Sequence, residues 1–213
     1  MVLTISKDTF NIPSGCEITL RYQSWQDYEY LLNLRPDHSK IKIGFNAILK
    51  EIRLMSPLPL HGNQVSVLTD LVKILLKHNQ LDWHSFDPIT LKKSPFVGLE
   101  PDHCFYIKNS TKILGKERID LTIDPPPDLV IEVDLTSTTK IDDYVAISSP
   151  EVWIYRQEQL LIYLFANSQY NLSQKSNLFP DINVCEILPQ FVEKAWHFGS
   201  SIALKEFEQF LFS

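Results

Sequence analysis

The sequence predicts a fold of the mixed α/β (α+β) class, in which a mixed β-sheet is flanked by helices. Three observations carry this. Leu129-Val130-Ile131, inside the longer run from Pro127 to Asp134, is apolar enough to be a buried strand. Residues 62–78 set Val65, Leu68, Leu71, Val72, Leu75 and Leu76 at helical spacing, which gives an amphipathic helix that packs on a sheet. The order helix, strand, strand, strand, helix, strand is the third, because it suits a mixed sheet with helices against it. With 213 residues, 44% of them hydrophobic and 22% charged, the chain can bury a substantial core as one domain. The expectation is a single domain over 1–213, its core at about 24–165 and a C-terminal hairpin and helices over 159–213.

The elements follow in order. The first residues, to about Pro13, show no period and read as a weakly anchored arm. Ser24 is a suitable N-cap for a helix through Leu34 whose Trp25, Tyr28, Leu31 and Leu32 share a face, and Pro36 stops it. Residues 40–55, with Ile41, Ile43, Phe45, Ile48 and Ile52, read as two strands of a meander, and Ser56-Pro57-Leu58-Pro59 as a rigid turn before the helix. Residues 83–91 and 100–107 are two further strands around a Lys92-Lys93-Ser94-Pro95 loop. The polar segment 108–127 ends in three prolines, which impose an extended approach to the acidic strand. A short helix over 140–147, a strand over 151–156, a hairpin over 159–172 and two short helices between about 189 and 212 complete the pattern.

Composition excludes several classes. The formal charge of −6 argues against nonspecific coating of nucleic acid, whose affinity comes mainly from cationic phosphate contacts, but leaves room for a nuclease with a local acidic centre. No apolar run approaches the ~18 residues that would cross a membrane, so no membrane partner is expected. Cys16, Cys104 and Cys185 lack metal-ligand spacing, and no signal peptide is recognised. The expected setting is a reducing cytoplasm with free thiols. Six histidines show no zinc-type spacing, and neither a glycine-rich phosphate loop nor a Ser-His-Asp order is present.

Charge is concentrated where it is hard to justify structurally. Period-two alternation puts Asp128, Val130, Glu132 and Asp134 on one face of the acidic strand, where three carboxylates repel unless a cation or a hydrogen-bond network neutralises them. A divalent metal is the first hypothesis. Asp102, Glu132 and Lys140 form a coherent set: two carboxylates to hold Mg²⁺ and an ammonium to orient water or offset phosphate charge, which suits phosphodiester hydrolysis. The plainer reading makes them solvated acids and a surface lysine. Asp128 lies about 13 Å from Glu132 at ~3.3 Å per residue, too far to share one ion, and would instead accept backbone hydrogen bonds at the start of the strand. Asp134, about 6.6 Å away by the same rise, would support the metal ligands, bind a second ion, or cap the following turn. His61 would contact phosphate or be structural, and Glu51 is a further acid outside the main set. Lys108, Lys112, Lys116 and Arg118 would track a DNA backbone or form a solvated tip.

These residues also carry a resemblance. Leu99-Glu100-Pro101-Asp102, then Pro127-Asp128-Leu129-Val130-Ile131-Glu132-Val133, then Lys140-x-x-x-Tyr144 and Ser149-Pro150-Glu151-Val152-Trp153-Ile154-Tyr155, with Met55-Ser56-Pro57 and His61 upstream, resemble the Uma-two-type restriction endonuclease family of the PD-(D/E)XK nuclease superfamily. The resemblance spans roughly residues 24 to 165. It implies a restriction-endonuclease-like fold and a metal-dependent DNA endonuclease, with Asp102 and Glu132 as catalytic metal ligands for Mg²⁺ (or Mn²⁺). Asp134 stands where the motif has its lysine, and Lys140 on the following helix would supply that charge. The family's Gly-Val-Pro-Glu turn is Ser148-Ser149-Pro150-Glu151 here. A homodimer is implied by related nucleases that cut two strands with two copies. Trp196, Phe198, Phe207, Phe210 and Phe212 would form its interface or pack on the protein's own sheet. The alternative is a catalytically inactive nuclease-like module that binds nucleic acid or protein.

Overall fold

Two β-sheets, each covered by helices, come together at the acidic strand. The structure is a computed structural model that describes residues 12–36, 39–136 and 138–212, so most of the expected N-terminal arm lies outside the described residues.

The first sheet is antiparallel throughout. It consists of β1 (Glu17–Arg21), β2 (Lys42–Asn46), β3 (Glu51–Met55), β5 (Leu91–Lys93) and β6 (Val97–Leu99), in the order β1-β3-β2-β6-β5. Helix α1 (Trp25–Leu34) covers one face. It starts where Ser24 predicts: the Ser24 hydroxyl accepts from the Asp27 N–H, and the Asp27 carboxylate accepts from the Ser24 N–H at 2.8 Å. Tyr28 and Leu31 pack on Ile43, Phe45, Ile52 and Leu54. Alternation then turns Lys42 of β2 and Arg53 of β3 to the opposite face, toward the second sheet.

The second sheet contains β4 (His84–Phe86), β7 (His103–Tyr106), β8 (Leu129–Asp134), β9 (Glu151–Arg156), β10 (Gln159–Ala166) and β11 (Gln169–Ser173) in the order β11-β10-β9-β8-β7-β4. It is mixed because β8 and β9 run parallel while the other pairs are antiparallel. The β8-to-β9 connection carries a short 3-10 turn, Ile141–Tyr144. Helices α2 (Pro59–His78), α3 (Val184–Phe198) and α4 (Ser200–Leu211) cover one face, where Leu68, Leu71 and Leu75 meet Phe105, Ile131, Trp153, Leu188 and Phe207. On the other face Val130, Val152 and Ile154 pack with Ile113, Leu121, Tyr144 and Ile147. The mixed, helix-flanked, single-domain class is as the sequence predicts.

Several boundaries differ for identifiable reasons. Ile48 lies in the β2–β3 turn, 91% exposed, because the Asn46 side chain accepts from the Ile48 and Leu49 N–H groups and closes the turn there. Lys92 and Lys93 are in strand β5 instead of a loop. Their long stems carry the charges away from the sheet, to Glu29 and to the Ala146 carbonyl. Strand β1 has no counterpart in the sequence reading. Helix α2 begins at Pro59, not Gly62, because proline suits the first turn, where its missing N–H costs nothing. The expected helix over 140–147 is only a 3-10 turn, and α3 starts at Val184 with Pro189 inside it. Phe207 is buried in the core, while Trp196, Phe198 and Phe212 are exposed.

Candidate active site

The antiparallel register of β7 and β8 pairs His103 with Ile131, so the next position outward sets Asp102 opposite Glu132. Backbone and side chains then lock the two acids together. The Asp102 N–H donates to Glu132 Oε2 at 3.1 Å, and the Val133 N–H donates to Asp102 Oδ2 at 2.8 Å. Pro101, which has no N–H, leads the chain into this corner. Tyr144 donates its hydroxyl to Glu132 Oε1, and His61, at the start of α2, sets Nε2 3.1 Å from the Asp102 carboxylate. The pair borders a cleft of about 100 Å³ shared with Lys42, Arg53, Thr138, Thr139 and Asp143.

The cation of the site is Lys42. From the inner face of β2 its Nζ lies 2.6 Å from Asp102 Oδ1 and 3.6 Å from Glu132 Oε2. Burial opposes charge on all three groups, and their mutual attraction decides the outcome. Lys42 is pulled above its ordinary range because Asp102 and Glu132 outweigh its desolvation. Asp102 is held well below the usual carboxylate range, its burial overcome by Lys42 and His61. Glu132 is pushed up to about 8, by burial that Lys42 only partly offsets and by the neighbouring Asp102.

The other sequence candidates have different surroundings. Lys140 is not placed on the carboxylate pair. Its Nζ lies 3.6 Å from Glu51 Oε2, its side chain is half exposed, and it does not line the cleft. Asp134 accepts from the Thr139 N–H and hydroxyl and from Arg156 Nε at 2.8 Å, so it ties Thr139 to β9. Asp128 accepts from the Ile107 N–H at 2.7 Å and from Asn109, and anchors the start of β8. Glu100 is filled by Arg35, Thr90 and the Ile43 N–H. Lys116 and Arg118 border a separate cleft of about 740 Å³ beside Trp25 and Phe86, and Lys116 is paired with Asp124. Lys42 was invisible as a site residue in the sequence. Its only signal is a lysine in the strand pattern Ile41-Lys42-Ile43, and that pattern does not say which element faces it.

The donor chemistry bears on which ion the site could hold. Among the described residues no group of three or more His, Cys, Asp and Glu converges on a metal position. The cleft does offer two hard carboxylates meeting at one point, with the Lys42 ammonium against them. Mg²⁺ and similar ions retain much of their hydration and need only one or two carboxylates, so Asp102 and Glu132 fit such an ion and not a closed zinc site. Among the described residues no helix is long and apolar enough to cross a membrane.

Comparison with known proteins gives a consistent picture. The model of the Uma2 family, described as "Putative restriction endonuclease", matches residues 25–197, well over half of the chain. A search of curated proteins finds no match. Among solved structures, a putative nuclease belonging to DUF820 from Anabaena variabilis is similar with a TM-score of 0.54 at 12% identity, covering 79% of this chain and 98% of that one. At that identity the likeness concerns the fold.

Proposed function

The chain belongs to the Uma2 restriction endonuclease family, and from that premise we propose that it hydrolyses DNA phosphodiester bonds with a divalent cation at the Asp102–Glu132 pair. The observation that carries this reading is the convergence of the two acids across the β7–β8 register, with an ammonium on the same carboxylate oxygens. Asp102 and Glu132 would hold Mg²⁺ or Mn²⁺. When bound, the cation supplies charge for the phosphate and a water that deprotonates more readily. The protein's own groups do the positioning. The Val133 N–H and His61 fix the Asp102 carboxylate, and Tyr144 fixes Glu132. Lys42, and not Lys140, is the ammonium that balances the Asp102–Glu132 pair while the cation is absent.

A homodimer acting on two strands would cover the apolar surface at Trp196, Phe198 and Phe212. Three free cysteines suit a reducing cytoplasm.

One observation favours a second reading. Lys42 already pairs with both acids, which is what a nuclease-like module that binds nucleic acid or protein without cutting would need. End-labelled duplex, single-stranded and branched DNA, incubated with Mg²⁺ or Mn²⁺ and run on denaturing and native gels, separate the two. Shortened strands support the nuclease. Retarded but intact DNA supports the binding module, and DNA that is neither shortened nor retarded would exclude it as the substrate.

A further inference from the structure

Lys42 occupies the place between the carboxylates that a metal ion would need. Its Nζ is 2.6 Å from Asp102 Oδ1 and 3.6 Å from Glu132 Oε2. The remaining oxygens are engaged as well: Asp102 Oδ2 by the Val133 N–H and Glu132 Oε1 by Tyr144. An ammonium and a divalent cation at one carboxylate oxygen repel each other, and neither can be screened in a pocket this buried. Lys42 also borders a second cleft of about 410 Å³, lined as well by Asp102, Ser39, Lys40, His61 and Asp87. Among the described residues Asp87 is the acid of that cleft besides Asp102, and its carboxyl is raised by burial and by Asp102, with Lys42 and Lys73 pulling the other way.

We infer that Lys42 is a built-in cation that competes with the metal for the Asp102–Glu132 pair and yields the position by turning into the adjacent cleft toward Asp87. The inference rests on the reading of that pair as the metal ligands. It makes Lys42 a gate on metal affinity, so the site stays neutralised until an ion arrives. A flexible four-carbon stem suits such a change of seat better than a rigid guanidinium would.

Mn²⁺ binding, measured by calorimetry and by electron paramagnetic resonance of free Mn²⁺, tests this without reference to cleavage. Lys42→Gln removes the charge but retains a donor for Asp102, so the acids are not left unpaired. It is expected to bind Mn²⁺ roughly tenfold or more tightly than the wild type, the size of one charge-assisted hydrogen bond given up. Adding Glu132→Gln should abolish that gain. Asp87→Asn, at a largely exposed side chain and with Lys42 intact, should bind severalfold more weakly because the displaced ammonium loses its second seat. Equal affinity in the wild type, Lys42→Gln and Asp87→Asn, lost on Glu132→Gln, would overturn the competition and leave the carboxylates as metal ligands. No Mn²⁺ binding in any folded variant would overturn both.

Discussion

The ammonium of Lys42 lies 2.6 Å from Asp102 although 60 residues separate them in the chain. One residue comes from the inner face of an antiparallel sheet, the other from the corner where β7 meets β8. Two sheets must therefore be in register for the site to exist. The chemistry follows from that junction: carboxylates from one sheet, their counter-charge from the other.

The two lysines are predicted to behave differently. Lys140→Ala should leave DNA cleavage within about twofold of wild type, because its half-exposed ammonium faces Glu51 and not the Asp102–Glu132 pair. Lys42→Gln should reach half of its maximal single-turnover rate at a roughly tenfold lower Mn²⁺ concentration than wild type, because the competing ammonium is gone. Gel assays across a Mn²⁺ titration compare them directly. A larger loss for Lys140→Ala would return that residue to the site.

His103 predicts a pH dependence of stability. It is buried on β7, its ring nitrogens lack hydrogen-bond partners, and burial, with Lys73 nearby, depresses its pKa to about 4 from 6.5. In the window between those values the unfolded chain takes up a proton that the native protein does not. Stability is therefore fully present above 6.5 and lost as pH falls toward 4, with a slope of up to about 1.4 kcal/mol per pH unit from this residue. Urea unfolding of wild type and His103→Phe across that range should show the variant without this part of the slope.

Ser148 sits at φ 64 before Pro150, a backbone region that costs a non-glycine residue energy. The Ser148 hydroxyl regains part of this by donating to the Val145 carbonyl. Ser148→Gly should raise stability by up to about 1 kcal/mol. An unchanged or lower midpoint in thermal unfolding would show that the hydroxyl contact outweighs the backbone relief.

Gly98 is required by close approach. A Cβ at this position of β6 would fall within the buried Tyr28 ring that joins α1 to the first sheet. Gly98→Ala should cost about 2 kcal/mol or more through forced displacement of that ring. Chemical denaturation measures it, and a cost below 0.5 kcal/mol, the range of neutral surface changes, would mean that α1 shifts freely.

Much of this was legible in the sequence where a local rule and burial agree. The Ser24 cap, the long amphipathic α2 and the β8 strand are each fixed by nearest neighbours and one apolar face. Asp102 and Glu132 could be named as candidates because buried charge stands out. Lys42 could not, because its role comes from a contact between sheets that no local spacing encodes. Lys140 was carried by likeness to a motif, yet the 3-10 turn that follows it directs it to Glu51. β1 and β5 were obscured by their short length and charged residues, and α3 by a proline that the helix accommodates.

The most direct test is conversion of supercoiled plasmid to open circles by the wild type and by Asp102→Asn/Glu132→Gln, with Mg²⁺, with Mn²⁺ and with chelator. The wild type should nick only with a divalent cation, and the double variant should be slower by at least about 10²-fold while retaining its fold. Nicking at equal rates in the two proteins, or nicking that persists in chelator, would contradict the assignment of Asp102 and Glu132 as the metal-holding pair.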